Sequence, residues 1–225
     1  MRTSLIIPIY NESGRLQPLL KKTAHYFAPA DTIIVDDGSE DGCTDDLEDE
    51  GYVTVRHSRN RGKGCALKSG FRRVIDMGYD WTLTMDADGQ HDPSCIPAFI
   101  AEAEEGRFGI IIGNRRKNLS GMPLDRKFSN LSTSFILSIV TGRKIWDGQC
   151  GYRMYRMDFL RSIRLNTSSY EAETELLLKA VDKNLKIGWI DIPTIYSDEK
   201  SHIRRCMDTY KFLKLVTGYL LRIHN

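Results

Sequence analysis

The sequence predicts an α/β domain built on a mainly parallel, buried sheet. Short apolar runs bounded by turn residues recur along the 225 residues, and stretches with apolar residues at helical spacing separate them. Several of the runs are apolar at nearly every position, which is typical of strands that are covered on both faces. Strand and helix alternate up to about residue 113, and this alternation predicts βαβ units with right-handed crossovers.

Six apolar runs predict the main strands. They read SLIIPIY, TIIVDD, YVTVRHS, WTLTMDAD, FGIIIGNR and KIGWIDIPTIY. Between them, helical spacing predicts a first helix that ends near Phe27, with Ser13 as its N-cap, because serine is favoured at that position. A second helix is predicted from Lys63 to Met77, and a third after Pro93.

The second half of the chain is less regular. Residues 114–128 are rich in basic side chains and predict a loop, and residues 128–141 predict a helix. The stretch GQCGYRMYR predicts a turn into a short strand, and Glu171 to Asn184 predicts another helix. No repeat, low-complexity segment or linker interrupts the chain, so we expect a single domain.

Composition narrows the functional classes. The 32 basic and 30 acidic residues leave a net charge of +2, which gives no reason to expect a nucleic-acid partner. The five cysteines are odd in number and lack a C-x-x-C pair, which argues against a disulfide framework and a zinc site. The chain enters a strand by Ser4 without a signal-peptide core, and no run of 18 apolar residues occurs. We therefore expect a cytoplasmic protein that does not span a membrane by itself.

Charge is nevertheless unevenly distributed along the chain. Nine of the fifteen residues from 36 to 50 are acidic. Residues 115–127 carry five basic side chains and one acid, and residues 200–225 carry six basic side chains and one acid. This distribution predicts a polarised surface with one acidic zone and two basic zones.

Three polar clusters follow predicted strands and are expected to meet. YNE follows the first strand, DDGS the second and DADGQ the fourth. Because open α/β sheets bind ligands beyond the carboxyl ends of their strands, Glu12, Asp37, Asp86 and Asp88 should lie along one edge. That arrangement is what a cleft for a nucleotide and a metal ion requires.

The DADGQ cluster predicts a metal site. Asp86 and Asp88 stand two positions apart where a strand gives way to a turn, and they can converge with the Gln90 amide on one hard cation. Mg²⁺ or Mn²⁺ matches these oxygen ligands. The alternative is an Asx-turn that caps the next helix, a role we assign to Asp92, which precedes Pro93.

A calcium loop is a competing interpretation of the acidic zone. Its residues would occupy the ligand positions of an EF-hand loop. The preceding TIIVD segment is β-branched where an EF-hand needs a helix, and no second loop exists, so this calcium-binding module is the less favoured hypothesis. The residues concerned are Asp37, Ser39, Asp41, Gly42, Asp45 and Glu48.

Basic residues predict two phosphate contacts. In RNRGKGCALKSG, Lys63 begins a helix whose free N–H groups can bind a donor phosphate, although the spacing of a P-loop is missing. The alternative interpretation of this stretch is a glycine-rich loop with a solvated lysine. The basic loop after the fifth strand can bind a phosphorylated acceptor through charge-assisted hydrogen bonds, or can simply be solvated. Its residues are Arg115, Arg116, Lys117, Arg126 and Lys127.

Taken in order, these motifs resemble those of family 2 glycosyltransferases, and most of all the branch of dolichol-phosphate mannose and polyprenyl-phosphate glucose synthases. The matching stretches are IIPIYNE, IIVDDGS, RNRGKG, MDADGQHDP, GNRR, DGQCGYR, YEAETELLLKA and IPTIYSDEKSH. The resemblance implies a GT-A fold, a Rossmann-like α/β/α sandwich with a mainly parallel mixed sheet. It implies one glycosyltransferase domain over residues 1–225, with 1–113 binding the nucleotide-sugar and 114–225 the acceptor.

The resemblance also implies roles for individual residues. The family's D-x-D pair corresponds to Asp86 and Asp88, which with Gln90 would hold Mg²⁺ or Mn²⁺ on the donor diphosphate. Ser201 and His202 fall where the family usually has a Ser-Lys pair near the diphosphate, so the histidine is a departure from the pattern. The remaining implied contacts are Pro8, Tyr10 and Glu12 with the nucleoside, Asp37 with the base, and Arg115 and Arg126 with the acceptor phosphate.

The implied reaction is an inverting, metal-dependent transfer of a hexose from a GDP-mannose or UDP-glucose type of donor to a polyprenyl phosphate. A hydroxyl acceptor on a glycan, lipid or protein is the alternative, and it would need a general base from Asp147, Glu173 or Glu175. We assign catalytic roles to Asp88 and Asp147. A sugar nucleotidyltransferase is a more distant hypothesis, since the Gly-rich, Arg/Lys signature expected after the first strand is missing.

The C-terminal segment predicts an amphipathic helix. Lys211, Lys214 and Arg222 lie off its apolar face, so the helix can lie on an anionic membrane surface and make the protein peripheral at the cytoplasmic face. Core packing, a homodimer contact or a membrane-protein partner would use the same pattern. The apolar face is formed by Phe212, Leu213, Val216, Leu220 and Ile223.

Overall fold

A seven-stranded mixed sheet organises the computed structural model, which describes residues 1–116, 122–195 and 205–223. The strand order is β3-β2-β1-β4-β6-β5-β7, and only β6 runs antiparallel to its neighbours. The predicted α/β fold with a mainly parallel mixed sheet is therefore confirmed. The strands are β1 Thr3–Ile9, β2 Thr32–Asp36, β3 Val53–Arg56, β4 Trp81–Thr84, β5 Ile110–Asn114, β6 Arg153–Arg156 and β7 Ile187–Asp191.

Seven helices connect and flank these strands in the described residues. The predictions for α2, for α3 after Pro93 and for α6 are confirmed to within a few residues, which is the usual uncertainty of helix ends. The helix α4 begins earlier than predicted, directly after Pro123. The helices are α1 Ser13–Thr23, α2 Lys63–Asp76, α3 Ile96–Glu104, α4 Leu124–Thr141, α5 Met157–Arg161, α6 Glu171–Asp182 and α7 Arg205–Ile223.

The start of α1 differs from the prediction. Ser13 is the first helical residue and Glu12 occupies the cap position without a side-chain cap. The backbone N–H of Ser13 instead donates to Asp41 Oδ2 at 2.8 Å. A carboxylate from a distant loop thus satisfies an N–H that the helix leaves open, which local sequence could not indicate.

The core lies on the central strands, whose side chains are apolar on both faces. Ile6, Ile33, Leu83 and Ile111 are fully buried. A Cβ at Gly70 of α2 would lie 2.8 Å from Ile6 Cγ2, so this glycine lets α2 approach β1 closely. The sheet and its covering helices hold the strand ends in fixed positions.

The antiparallel β6 determines how the two halves of the chain meet. It pairs with β4 on one side and β5 on the other. Since β4 and β5 both run antiparallel to β6, they are parallel to each other and end at the same edge. The residues after β5, beginning with Arg115, therefore reach the edge where Asp86 and Asp88 follow β4.

The C-terminal helix buries only part of its predicted apolar face. Val216 and Tyr219 are buried, whereas Leu213 and Leu220 are exposed. Tyr219 donates to Asp182 Oδ1 at 2.6 Å, which ties α7 to α6. The predicted apolar face is therefore divided between the core, at Val216, and the surface, at Leu213 and Leu220, and its contact with a membrane stays a prediction. The side chain of Ile223 lies outside the described residues.

Candidate active site

Neighbouring strands bring the three polar clusters together at one edge of the sheet. The strand β1 lies between β2 and β4, all three parallel. Tyr10 and Glu12 follow β1, Asp37 follows β2, and Asp86 follows β4. Because the carboxyl ends of parallel strands meet at one edge, the predicted convergence is confirmed.

Asp86 lies in a partly buried ion-pair network with a lysine and a glutamate. Its Oδ1 is 2.6 Å from Lys63 Nζ, and the same Nζ is 2.7 Å from Glu173 Oε1. Burial alone would raise the pKa of Asp86, but the Lys63 ammonium outweighs it through its charge and its hydrogen bond, and lowers that pKa. Lys63 likewise keeps its charge, since its two carboxylate partners raise its pKa despite burial. The Lys63 ammonium thus points into the acidic site from the first residue of α2.

Asp88 lies in the opposite electrostatic situation. Burial, and then repulsion by the neighbouring Asp86 carboxylate, raise the pKa of Asp88. Its Oδ1 accepts the backbone N–H of Gln90 at 2.9 Å, so the Asx-turn considered for this stretch exists alongside the carboxylate pair. Asp92, as predicted, caps the following turn by accepting from the Ser94 N–H at 2.9 Å.

The Asp86 and Asp88 pair fits a hard divalent cation. The two carboxylates repel each other, so a cation between them would relieve an existing excess of negative charge. Among the residues that the structure describes, no group of three or more His, Cys, Asp or Glu side chains is arranged to hold a metal. A cation here would take two protein carboxylates and complete its shell with ligand or water oxygens, as Mg²⁺ and Mn²⁺ do.

Gly151 lies directly against this network, and no feature of the sequence singles it out beyond its place in GQCGYR. A Cβ at this position would lie 2.5 Å from Asp86 Oδ2 and 2.9 Å from both Glu173 Oε1 and Lys63 Nζ. The turn before β6 therefore lies so close to the charged groups that a Cβ at this position would push the ends of their side chains aside. No local signal distinguishes this glycine from one in an ordinary turn.

His91 orients the turn that carries the two aspartates. It is buried, its ring stacks on Tyr152 at 5.0 Å between centroids, and its Nδ1 accepts the Asp86 backbone N–H at 3.1 Å. Burial lowers the pKa of His91, in keeping with a neutral ring that accepts at Nδ1. It directly follows the DADGQ motif, yet sequence reasoning assigned it no role.

A cleft of about 450 Å³ opens beside the ends of β1 and β2. Tyr10 lines it together with backbone and side chains of two loops, and Gly38, at φ +84°, lets those loops approach. A Cβ on Gly38 would lie 2.4 Å from the Arg59 carbonyl carbon. The lining residues are Tyr10, Gly38, Ser39, Glu40, Arg56, His57, Ser58, Arg59 and Asn60.

Asp37 supports this cleft from below. Its carboxylate accepts the backbone N–H groups of Arg61 and Gly62, the latter at 2.7 Å, and its Oδ1 is 2.6 Å from His57 Nδ1. His57 Nε2 in turn lies 2.8 Å from Ser69 Oγ. Asp37 is buried and holds the loop that leads into α2. Its contact with a base stays a prediction, and the loop-anchoring role is one that sequence reasoning missed.

Arg115, which follows β5, forms a second ion pair, with an aspartate of the turn before β6. Arg115 Nε donates to Asp147 Oδ2 at 2.7 Å and its Nη2 to Asp147 Oδ1 at 2.9 Å. Asn130 Nδ2 and the Gln149 N–H also donate to Asp147 Oδ1. Burial would raise the pKa of Asp147, but Arg115 and these hydrogen bonds outweigh it and hold the pKa below its usual value.

This geometry argues against Asp147 as a catalytic base. Its side chain is fully buried, and both carboxylate oxygens are occupied by donors of the protein itself. A general base must reach the proton that it removes. Asp147 instead fixes Arg115, whose charge acts on Asp86.

The other two candidate bases are engaged as well. Glu173 pairs with Lys63. Glu175 accepts the N–H groups of Asn166 and Thr167 and the Thr167 hydroxyl, the last at 2.7 Å. Burial would raise the pKa of Glu175, but these hydrogen bonds keep it lowered. Each of these carboxylates therefore already has a structural task.

A fully buried arginine, also missed from the sequence, ties these elements together. Arg153 donates to the carbonyls of Cys150, Gly148 and Glu173 at 2.6, 2.9 and 2.7 Å. It joins the GQCGYR turn to α6, and so holds the turn against the network around Lys63. A charged residue in a strand gives no local signal for such burial.

The remaining predicted residues are placed as follows. Pro8 lies within β1, next to the edge. Glu12 is ion-paired with Arg15 at 2.9 Å. Arg126 lies in the first turn of α4 and is half-buried. Lys117, Ser201 and His202 lie outside the described residues.

The calcium-loop hypothesis is wrong. Its first residue, Asp37, is buried and bonded to His57 and the backbone, and a strand rather than a helix precedes it. Asp41 turns instead to the N–H of Ser13. The carboxylates of residues 37–48, all within the described chain, do not converge on one point.

Comparison with known proteins gives a consistent family. A family model described as Glycosyl transferase family 2 matches residues 4–164. The UDP-N-acetylglucosamine–dolichyl-phosphate N-acetylglucosaminyltransferase of Methanococcus voltae is 32% identical over 216 residues, covering 86% of each chain. The undecaprenyl-phosphate mannosyltransferase of Micrococcus luteus is 29% identical, over 89% of this chain and 85% of its own.

Solved structures share the fold. The glucosyl-3-phosphoglycerate synthase of Mycobacterium tuberculosis, crystallised with Mn²⁺, uridine diphosphate and phosphoglyceric acid, superposes with a TM-score of 0.75. The superposition covers 98% of this chain and 78% of that one at 16% identity. At this identity the likeness concerns the fold, which agrees with the GT-A architecture that the sequence implied.

Proposed function

The chain belongs to glycosyltransferase family 2, and from this premise we propose that it transfers a hexose from a nucleotide-sugar to a polyprenyl phosphate, with inversion at C1. Its two halves divide the task. Residues 1–113 bind the donor with Pro8, Tyr10, Glu12 and Asp37, and residues 114–225 bind the acceptor.

One observation carries the choice of acceptor. Asp147, Glu173 and Glu175 are buried and occupied by Arg115, Lys63 and the Asn166–Thr167 segment, respectively. A hydroxyl acceptor would need one of them as a free base. A phosphate monoester is already an anion at neutral pH and attacks without a base. The occupied carboxylates therefore favour a phosphate acceptor.

The relatives support the same class. By name, the Methanococcus voltae protein acts with dolichyl phosphate and the Micrococcus luteus protein with undecaprenyl phosphate. Both are matched over more than four fifths of each chain, so the likeness includes both halves. Their named sugars differ, which leaves the donor sugar and base to experiment.

The residues of the chain then divide the chemistry. A divalent cation held by Asp86, Asp88 and Gln90 would neutralise charge that grows on the leaving diphosphate. Lys63 adds a fixed positive charge beside that site. Arg115, held rigidly by Asp147, supplies positive charge between the acceptor phosphate and the donor. A phosphate oxygen forms the new bond to C1 as the C1–O bond to the diphosphate breaks and the nucleoside diphosphate leaves with the electron pair.

A transfer assay tests this proposal. Radiolabelled GDP-mannose, UDP-glucose and UDP-N-acetylglucosamine would each be offered with undecaprenyl phosphate or with an octyl glycoside, in Mn²⁺, Mg²⁺ or EDTA. We expect label to enter the lipid phosphate with one donor and a metal, in a product labile to mild acid. NMR of that product should show the anomeric configuration opposite to the donor's. Transfer to the octyl glycoside alone would overturn the choice of acceptor.

A binding screen gives an independent check on the donor side. Thermal-shift measurement with GDP, UDP and related diphosphates in Mn²⁺ should show stabilisation by one base family, because binding to the folded state raises the unfolding midpoint. The matched control is the same diphosphate in EDTA. Equal stabilisation without metal would contradict the role given to Asp86 and Asp88.

A further inference from the structure

The helix α4 turns polar side chains toward the protein and large apolar side chains toward the outside, which is the reverse of an ordinary surface helix. The side chains turned inward include Asn130, Thr133 and Ser134, with Leu137 as the apolar exception. Four large apolar side chains face outward: Leu124, Phe128, Phe135 and Ile139 are exposed at 83%, 74%, 66% and 66%. A surface helix normally buries its apolar stripe.

These four side chains form one stripe. At about 100° per residue they fall within an arc of about 60°. With a rise of about 1.5 Å per residue the stripe is about 22 Å long. Single exposed apolar side chains are ordinary, but a continuous row of large ones marks a surface that meets something apolar. We call it the α4 stripe.

The charges around the α4 stripe discriminate between two apolar partners, a second copy of this chain and a lipid surface. Asp125 is the only acid from residue 124 to 146, whereas four bases stand near the two ends of the helix: Arg126 and Lys127 at the start, Arg143 and Lys144 just beyond the end. A second copy packed on the stripe in either orientation would bring basic ends against basic ends, and like charges in an interface oppose association. An anionic lipid surface complements both ends.

Neighbouring groups agree with a lipid surface. Beyond the end of α4, Lys144 Nζ lies 3.7 Å from the ring centroid of Trp146, and tryptophan beside a basic side chain is frequent at membrane interfaces. The helix α7 packs against α4 and adds exposed apolar side chains of its own, Tyr210, Leu213 and Leu221. No helix of the described residues is long and apolar enough to cross a membrane.

We propose that the α4 stripe inserts into the surface of an anionic bilayer, with Lys127 and Lys144, near the two ends of the helix, on the lipid headgroups. The helix then lies in the plane of the interface. This inference deepens the proposed function and rests on it in one respect: a polyprenyl-phosphate acceptor would be reached in the bilayer. The stripe begins ten residues after β5, whose end carries Arg115 to the active site.

Vesicle binding without any substrate tests the inference separately from the reaction. The wild-type protein and the double variant Phe128→Ser/Phe135→Ser would be sedimented with vesicles of phosphatidylcholine and phosphatidylglycerol, and with vesicles of phosphatidylcholine alone. We expect the wild type to bind the anionic vesicles and the double variant to bind at least about tenfold more weakly. Pure phosphatidylcholine should bind the wild type less.

The control variant is Tyr26→Ser, an exposed aromatic residue outside α4 and α7. It should bind vesicles as the wild type does. The thermal midpoints of the wild type and the double variant should agree, because Phe128 and Phe135 are largely exposed. A double variant that binds vesicles like the wild type would overturn the inference. The inference would also be overturned if light scattering showed that the wild type is a dimer and the double variant a monomer.

The two proposals fail in distinguishable ways. If the stripe binds lipid but no sugar reaches undecaprenyl phosphate, the proposed function fails and the membrane surface stands. If the double variant transfers sugar to a detergent-solubilised lipid phosphate and equally to the same lipid in anionic vesicles, the membrane role of the stripe fails and the proposed function stands.

Discussion

Two groups of ion-paired residues at the same sheet edge, which we name the donor cluster and the acceptor pair after their proposed roles, differ in how much of their carboxylate surface is exposed. In the donor cluster, formed by Lys63, Asp86, Asp88 and Glu173, the Asp86 side chain keeps 24% of its surface exposed. In the acceptor pair of Arg115 and Asp147, the carboxylate has no exposed surface at all. Both aspartates have lowered pKa values.

The difference shows that a depressed pKa does not identify a reactive carboxylate. Asp86 lies next to a second carboxylate whose pKa is raised by burial and by repulsion from Asp86, so the donor cluster has negative charge left for a ligand. Both carboxylate oxygens of Asp147 already accept hydrogen bonds, from Arg115, Asn130 and a backbone N–H. The donor cluster is built to bind, and the acceptor pair to hold Arg115 in place.

The largest effect on transfer activity is expected at Asp88, and it tests whether the donor cluster binds a ligand while the acceptor pair does not. In Asp88→Asn the site loses one of its two like charges, so transfer activity should fall at least about a hundredfold. Removing the repulsion should leave the thermal midpoint in EDTA unchanged or higher. Activity and midpoint would be measured on the same preparation.

Asp92→Asn is the matched control for Asp88→Asn. Asp92 lies four residues further on and caps a turn. Since asparagine caps about as well as aspartate, both stability and activity should change little. An Asp88→Asn protein that is as active as Asp92→Asn would remove the metal role of Asp88.

The next effect is expected in the acceptor pair. Asp147→Asn leaves the Arg115 guanidinium without its carboxylate in a mostly buried position, which should cost about 3 kcal/mol of unfolding free energy. Activity should also fall, because Arg115 loses its orientation. If Asp147 were a base, Asp147→Asn would instead lose activity with no loss of stability, which urea unfolding would reveal.

The loss of unfolding free energy in Asp147→Asn should depend on pH in a defined direction. The folded-state pKa of Asp147 lies below its usual value of 3.8, so its ionised form stabilises the protein above that pH. The contribution is lost as the pH falls through the folded-state pKa. The stability difference between wild type and Asp147→Asn should therefore be full at pH 7 and shrink at the acid end. A difference that is constant down to pH 3 would contradict the pairing.

A smaller effect is expected from Gly151→Ala, which tests whether the donor cluster needs a glycine at this position. The new methyl group would push the side-chain ends of Asp86, Glu173 and Lys63 aside, at a cost of about 1 kcal/mol of stability and with a loss of transfer activity. Gly14→Ala is the control, since a Cβ there meets nothing within 4 Å. An active and equally stable Gly151→Ala protein would show that the cluster tolerates displacement.

The smallest effect is expected where an ion pair lies at the surface. Asp45 Oδ1 is 3.7 Å from Arg56 Nη1, and both side chains are more than half exposed. Asp45→Asn should change the unfolding free energy by less than about 0.5 kcal/mol, because solvent and salt screen such pairs. A loss comparable to that of Asp147→Asn would mean that exposure does not separate the two kinds of pair.

Local sequence was sufficient for the elements and for the meeting of their polar ends. The apolar runs, the helical spacing in α2 and α6 and the turn residues after β1, β2 and β4 are short-range patterns, and parallel strands share one edge wherever they lie in the sheet. For the same reason the order of the motifs was enough to indicate the family.

Only the tertiary structure decided what each charged group does. The insertion of β6, the approach of Gly151 to Asp86, and the pairing of Asp147 with Arg115 and of Glu173 with Lys63 join segments far apart in the chain. Whether a carboxylate is free or occupied depends on those distant partners and on burial, which no local pattern encodes. The outward turn of the apolar side chains of α4 is a further case. The spacing of Leu124, Phe128, Phe135 and Ile139 predicts an apolar face, but packing alone decides that this face points away from the core.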